Sequence, residues 1–178
     1  KIIGSDAYPK VRDGIAAAKK CGLNPVKLNM VVMKGINEDE IPWMIDFSKE
    51  VGATLQLIEY QPLERGVEDW SDYHFDLEPL EEELRARSSR VVEREMHRRK
   101  QYYLEGGGVV EVVRPMHNSD FCMYCTRLRL TSDGALKPCL MREDNHVEAV
   151  SLLRNGGSRE SIEAAFKEAV ANREPFWG

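Results

Sequence analysis

Three cysteines and two arginines carry the chemistry of which this sequence is capable. Cys122 and Cys125 form a C-x-x-C pair, and Cys139 returns after a stretch that reads as a hairpin. Residues 127–131 alternate charged and apolar, Ser132-Asp133-Gly134 supplies residues that tolerate positive φ, and residues 135–140 run back. Side chains on a strand repeat every second residue, so Cys125, Arg127 and Arg129 are expected on one face, with Leu128 and Leu130 on the other. The pattern therefore describes a three-thiolate metal site with an arginine pair looking into the same space. An open metal position beside two planar, bidentate cations suits an anionic substrate such as a nucleotide phosphate or a carboxylate.

Thiols at this spacing have other uses. Free cysteines pack in cores, and pairs form disulfides, but neither use calls for a C-x-x-C with a returning third cysteine. A zinc site would need a closed set of four ligands, for which His117 or His146 could be drafted. Three thiolates instead leave one iron of a four-iron cluster free for an exogenous ligand. Spacing alone leaves zinc and iron–sulfur both open.

Several elements must position these residues. Residues 8–20 carry Val11, Ile15 and Ala18 at helical spacing with Gly22 just beyond, and residues 26–33 follow as a strand. Asn37 with Glu40 three residues on reads as a helix start, the stripe Ile41, Met44, Ile45 and Phe47 runs to Gly52, and residues 54–60 form the next strand. The two strands flank a helix and are expected to be parallel.

After Pro62 the stretch 63–75 has no clear period and reads as a loop, and 77–87 is a short charged helix with Leu77, Leu80 and Leu84 on one face. Residues 91–104 and 109–114 read as two strands joined by Glu105-Gly106-Gly107-Gly108, with Arg98, Arg99 and Lys100 on a solvated face. A last helix opens at Ser158 and runs through Val170, with Ile162, Ala165, Phe166 and Ala169 inward.

The 178 residues suffice for one domain or slightly more, and a 42% hydrophobic content is ordinary for a globular protein. A net charge of −5 argues against broad attraction to nucleic acid or anionic membrane. No apolar run approaches the roughly 20 residues of a spanning helix. Of the four cysteines, three are clustered, which fits metal ligation in the reducing cytoplasm better than a secreted disulfide framework. Cys21, in a helix-like segment, is expected to be structural.

The run Phe121-Cys122-x-x-Cys125-x-Arg127-x-Arg129-Leu130-Thr131-x-Asp133-Gly134-x-Leu136-x-x-Cys139-Leu140 closely resembles the C-terminal cluster motif of the MoaA-type radical SAM enzymes, the GTP 3′,8-cyclases of molybdenum cofactor biosynthesis. Residues 25–37 (PVKLNMVVMKGIN) with Glu38-Asp39-Glu40-Ile41 resemble the family's late barrel strand and following helix, and Leu57-Ile58-Glu59-Tyr60-x-Pro62 its last barrel strand. The resemblance implies that Cys122, Cys125 and Cys139 hold an auxiliary [4Fe-4S] cluster whose open iron meets the purine of GTP. It implies that Arg127 and Arg129 line the substrate pocket and that Lys27 faces the cavity that takes S-adenosyl-L-methionine (SAM) or GTP. No residue of this chain is implied as catalytic.

The departures are informative. The family's C-x-x-x-C-x-x-C motif for the SAM cluster, a second [4Fe-4S] cluster, is absent, so the chain reads as the C-terminal half of a longer enzyme. Gln56 and Gln61 stand where many relatives carry arginine and methionine, Thr126 stands where asparagine is commoner, and the tail ends Phe176-Trp177-Gly178 without a double glycine. The fold class expected is α/β: a partial radical-SAM, TIM-like barrel remnant over residues 1–63, then an α+β C-terminal lobe over 64–178 carrying the cluster motif. Expected partners are GTP, the N-terminal half whose strands would cover the edges of the remnant, a homodimer mate, and a downstream pterin synthase. The alternatives are a radical SAM enzyme acting on another substrate and a zinc-binding interaction module.

Overall fold

The computed structural model describes residues 4–61 and 70–177. The expected division at 63/64, Pro62, Gly178 and most of the loop expected over 63–75 lie outside the described residues; the described end of that loop holds a short helix, Trp70–Tyr73. Contacts divide the chain into two compact units, Lys1–Arg94 with Arg99–Arg114, and Glu95–Arg98 with Pro115–Gly178.

The first unit is a mixed α/β layer. Its strands are β1 (Lys27–Val32), β2 (Thr54–Glu59), β3 (Ser88–Glu93), β4 (Lys100–Leu104) and β5 (Val109–Val113), in sheet order β1-β2-β5-β4-β3. Its helices are α1 (Tyr8–Lys20), α2 (Ile41–Glu50), α3 (Trp70–Tyr73) and α4 (Glu78–Ala86). The β1-α2-β2 unit has parallel strands, as its pattern requires. β2 is not left with a bare outer edge, however: β5 pairs with it in parallel, Gln56 opposite Glu111. A run of valines broken only by Glu111 buries both faces of a strand, which is what a central position demands.

Residues 91–104 do not form the single strand expected of them. β3 and β4 are separate antiparallel strands, and between them Met96–Arg98 makes a 3-10 turn with His97 at φ 67° and Arg98 at φ 51°. Neither glycine nor proline marks this turn, so the sequence gives no punctuation for it. The start of α2 also differs. Asn37 accepts from the Met33 N–H (2.8 Å) and donates to the Val31 carbonyl (2.9 Å), while the Glu38 carboxylate takes the N–H groups of Gly35 and Ile36.

Alternation sets the core. Leu28, Met30 and Val32 of β1, Leu55 and Leu57 of β2, and Val110 and Val112 of β5 share one face and pack with Ile41, Ile45 and Phe47 of α2 and Leu84 of α4. Each such side chain contributes about 1.5–3 kcal/mol by leaving water. The opposite face of the same strands carries Lys27, Gln56 and Glu111.

The second unit holds α5 (Ser119–Met123), β6 (Arg129–Leu130), β7 (Ala135–Lys137), β8 (Val147–Glu148), α6 (Val150–Arg154) and α7 (Arg159–Ala171), its strands in the antiparallel order β6-β7-β8. The cysteine hairpin is present but shorter than expected, and β8 joins it. Leu136, Val147, Ala149, Ala165 and Ala169 form the core, with Leu128 and Leu152 against it. Ser158 caps α7 by accepting from the Ser161 N–H, and Phe166, expected inward, is 47% exposed. Among the described residues no helix is long and apolar enough to cross a membrane.

Candidate functional site

Cys122 lies in the last turn of α5, a helix started by Asn118, whose side chain accepts from the Phe121 N–H (3.0 Å). Tyr124 caps its C-terminus, and the Cys125 N–H donates to the Cys122 carbonyl (3.2 Å), so the C-x-x-C pair folds over a helix end. From there the chain extends: Arg173 donates to the carbonyls of both Cys125 and Arg127, the latter at 2.7 Å. Carbonyls two residues apart that point the same way are the mark of an extended segment, the geometry expected from the alternation.

The turn that returns Cys139 is pinned at Thr131. Its N–H donates to the Ala135 carbonyl (2.9 Å), its hydroxyl oxygen accepts from the Ala135 N–H (2.9 Å), and its carbonyl accepts from Gly134 (3.0 Å). Gly134 has φ 93°, and a Cβ built there would stand 2.3 Å from the Cβ of Val150, so only glycine fits. Pro138, fully buried, then delivers Cys139.

These elements bring Arg129 beside two of the three thiols. Burial, followed by the charge of Arg127, lowers the pKa of Arg129, while Cys125 and Cys139 raise it. Arg142 lies within reach of Cys139 as well, and it is ion-paired with Asp144 and Glu174 at 2.8 Å each. One Arg129 nitrogen, Nη1, is buried with no hydrogen-bond partner among the described residues. A buried guanidinium donor left unsatisfied costs free energy that an anionic ligand would recover.

Cys122, Cys125 and Cys139 are free and half-buried, and Cys21 is free and exposed at the end of α1. Among the described residues no three cysteine, histidine, aspartate or glutamate side chains stand close enough together to hold a metal ion. The donor chemistry, three free thiols and an unsatisfied buried cation, fits an anionic iron–sulfur cluster; the sulfurs as they stand do not form a closed tripod. His117 packs on Trp177 (centroids 4.1 Å apart) and His146 faces Glu143 (3.4 Å). Arg127 and Thr126 are exposed, as is Leu130, while Leu128 packs into the core.

A clamp on the C-x-x-C segment was not visible in the sequence. The buried His97 ring stacks on Phe121 at 3.9 Å, the His97 backbone N–H donates to the Tyr124 carbonyl (2.8 Å), and Arg98 lies over the Tyr124 ring at 4.0 Å. Lys27 belongs to the first unit, where its Nζ stands 3.4 Å from Glu111 Oε2. Glu111 also accepts from Gln56 (2.8 Å) and Gln101 (3.0 Å) and pairs with Arg99 (2.9 Å) and Arg94 (3.4 Å). Arg99, expected on a solvated face, is therefore buried on this carboxylate. Burial pushes the Glu111 pKa up, but Arg99, the Gln101 hydrogen bond, Lys27 and Arg94 outweigh it and hold it below the usual carboxylate value. The signal was available: a lone acid in the run Val109-Val110-Glu111-Val112-Val113 must find cations.

Comparison with known proteins adds the family. The Molybdenum Cofactor Synthesis C family profile matches residues 53–177. A "Probable GTP 3′,8-cyclase" of Pyrococcus abyssi is 48% identical over 182 residues, 99% of this chain and 59% of that protein. Proteins of the same name from Methanocella arvoryzae and Methanocaldococcus jannaschii are 47% and 40% identical over 96% and 99% of the chain, and 52% and 57% of their own lengths. The chain thus spans under two thirds of the length of these curated relatives.

Proposed function

The chain belongs to the Molybdenum Cofactor Synthesis C family, and from that membership we propose that the intact protein is a radical SAM GTP 3′,8-cyclase of molybdenum cofactor biosynthesis. In this reading it is a cytoplasmic lyase that joins ribose C3′ to purine C8, giving (8S)-3′,8-cyclo-7,8-dihydroguanosine 5′-triphosphate for a downstream pterin synthase. β1-α2-β2 is then the end of the radical-SAM barrel, residues 64–178 are the cluster- and substrate-binding lobe, and SAM with its own [4Fe-4S] cluster is held by residues outside this chain.

Cys122, Cys125 and Cys139 would hold the auxiliary [4Fe-4S] cluster. When bound, it supplies an iron with an open coordination position for a substrate atom. The chain's own residues bind and orient. Arg127, exposed, and Arg129, with a donor to spare, offer planar hydrogen bonding to anionic groups of the nucleotide. Lys27 adds a positive charge on the polar face of the first unit's sheet. Holding the ribose carbon and C8 near each other converts a demanding bond formation into an oriented one.

One observation carries the reading. Arg129 has a buried Nη1 without a hydrogen-bond partner among the described residues, beside Cys125 and Cys139, within the run that resembles the family's cluster motif. Supplying intact, anaerobically purified protein with GTP, SAM and a reductant tests it. Mass spectrometry should show an isomer of GTP that forms only when SAM is present; unchanged GTP from protein loaded with iron and sulfide would defeat the proposal.

A further inference from the structure

Arg173 brings a full positive charge to the cysteine motif from a distant part of the sequence. It lies just beyond α7, within the second unit, and its two Nη atoms donate to the carbonyls of Cys125 and Arg127. A planar guanidinium suits such a bridge; an ammonium, a single point of charge, does not. Neighbouring residues hold the same segment to other parts of the unit. The Asn172 carbonyl accepts from Asn145 (3.2 Å), Glu174 pairs with Arg142 (2.8 Å), and Trp177 packs on His117 (4.1 Å between centroids).

The two carbonyls occupy the donors of Arg173 without cancelling its charge. Among the described residues Arg127, Arg129 and Arg173 form no ion pair with a carboxylate, yet Arg129 lies within electrostatic reach of the other two and of Cys125 and Cys139. Arg142 also acts on Cys139, but Asp144 and Glu174 answer it at 2.8 Å each. Two buried donors, Arg129 Nη1 and Arg173 Nε, have no hydrogen-bond partner among the described residues. Like charges gathered without a counter-anion repel, so the arrangement calls for an anion at the thiols. Arg173, with both Nη atoms committed to the backbone, is fixed in place and has its charge left to contribute.

We infer that Arg173 is a positioning residue for the iron–sulfur group: it braces the ligand segment, and its uncancelled charge stabilises the cluster, most strongly in its reduced form. The inference rests on the reading of Cys122, Cys125 and Cys139 as cluster ligands. A cluster bound through three thiolates is an anion, and one-electron reduction adds negative charge with no atom gained or lost. A fixed cation nearby therefore favours the reduced form and raises the reduction potential. The electron comes from the reductant that the proposed reaction already requires.

The test is a dithionite redox titration of anaerobically reconstituted intact protein, followed by electron paramagnetic resonance. It compares wild type, Arg173→Gln, Arg173→Lys and the remote control Arg159→Gln, and the signal missing from Cys122→Ser identifies the cluster concerned. Its midpoint potential should be the same in wild type and Arg159→Gln, close to that in Arg173→Lys, which keeps the charge, and more negative in Arg173→Gln, which keeps a donor but no charge. Equal potentials in wild type and Arg173→Gln overturn the electrostatic role while leaving the proposed function standing, since both proteins then hold the cluster. Arg173→Lys shifted as far as Arg173→Gln overturns it too, because loss of the carbonyl bridge would explain both. Should Arg173→Gln hold no iron, Arg173→Lys decides: iron retained there supports the role of charge, and iron lost from both overturns it. Wild-type protein without a signal that Cys122→Ser removes overturns the cluster assignment and the inference together.

Discussion

The imidazole of His97 lies 3.9 Å from the ring of Phe121, 13° from coplanar, and its backbone N–H holds the carbonyl of Tyr124. Through this contact the turn between β3 and β4 grips the residues that flank Cys122. His97 does so at φ 67°, a left-handed conformation that costs a non-glycine residue about 1–2 kcal/mol. Two effects therefore oppose each other on mutation. His97→Ala loses the stacking and keeps the strained backbone; His97→Gly loses the stacking and relieves the strain. Denaturant titration should find both variants less stable than wild type, with the glycine variant the better by about 1 kcal/mol. A glycine variant no better than the alanine one would show that the backbone is not under strain there.

Gly134 tests the hairpin that returns Cys139. A methyl group there meets the Val150 side chain at 2.3 Å with φ 93°, whereas at Gly156, φ 70°, it meets nothing within 4 Å. Gly134→Ala is expected to cost about 2–4 kcal/mol, by strain and overpacking together, and Gly156→Ala about 1 kcal/mol, by strain alone. Thermal denaturation of the two variants should rank them in that order.

Glu111 makes stability depend on pH. Its pKa is lower folded than unfolded, so its ionised form stabilises the fold above the unfolded value, near 4.5, and this contribution is lost as pH falls through the lower folded value. Denaturant titrations between pH 7 and pH 3 should show a decline that is shallower in Glu111→Gln. Glu111→Gln should also be less stable at pH 7, since it removes the carboxylate charge that faces the buried Arg99; the loss expected for breaking a buried pair is about 3–5 kcal/mol.

Arg173 ties α7 to the cluster motif by donating to the carbonyls of Cys125 and Arg127. Alanine in its place leaves both carbonyls to water. Amide hydrogen exchange should then rise over residues 125–129 while the β1-α2-β2 segment is unchanged; equal rates in the two proteins would contradict a bracing role for Arg173.

Local chemistry was legible in the sequence, and long-range pairing was not. The Thr131–Gly134 turn and the β1-α2-β2 unit each depend on residues close together in the chain, whose periodicity and turn types report directly on backbone geometry; the short helix that ends in the C-x-x-C was not read from the sequence. The insertion of β5 beside β2 depends on residues 54–58 meeting residues 109–113, which no local pattern encodes. Arg99 was misread for the same reason: its burial is decided by Glu111, which sits on another strand. His97 and Arg98 adopt a turn without glycine, so the break between β3 and β4 left no mark in composition.

Iron and labile sulfide on anaerobically reconstituted intact protein test the central claim most directly, with Cys122→Ser, Cys125→Ser, Cys139→Ser and Cys21→Ser compared against wild type. Each of the first three should lose the iron of one four-iron cluster, and Cys21→Ser, altered at an exposed helix end, should keep it. Equal iron in all five proteins, or colourless protein holding stoichiometric zinc, would contradict the assignment of Cys122, Cys125 and Cys139 as cluster ligands.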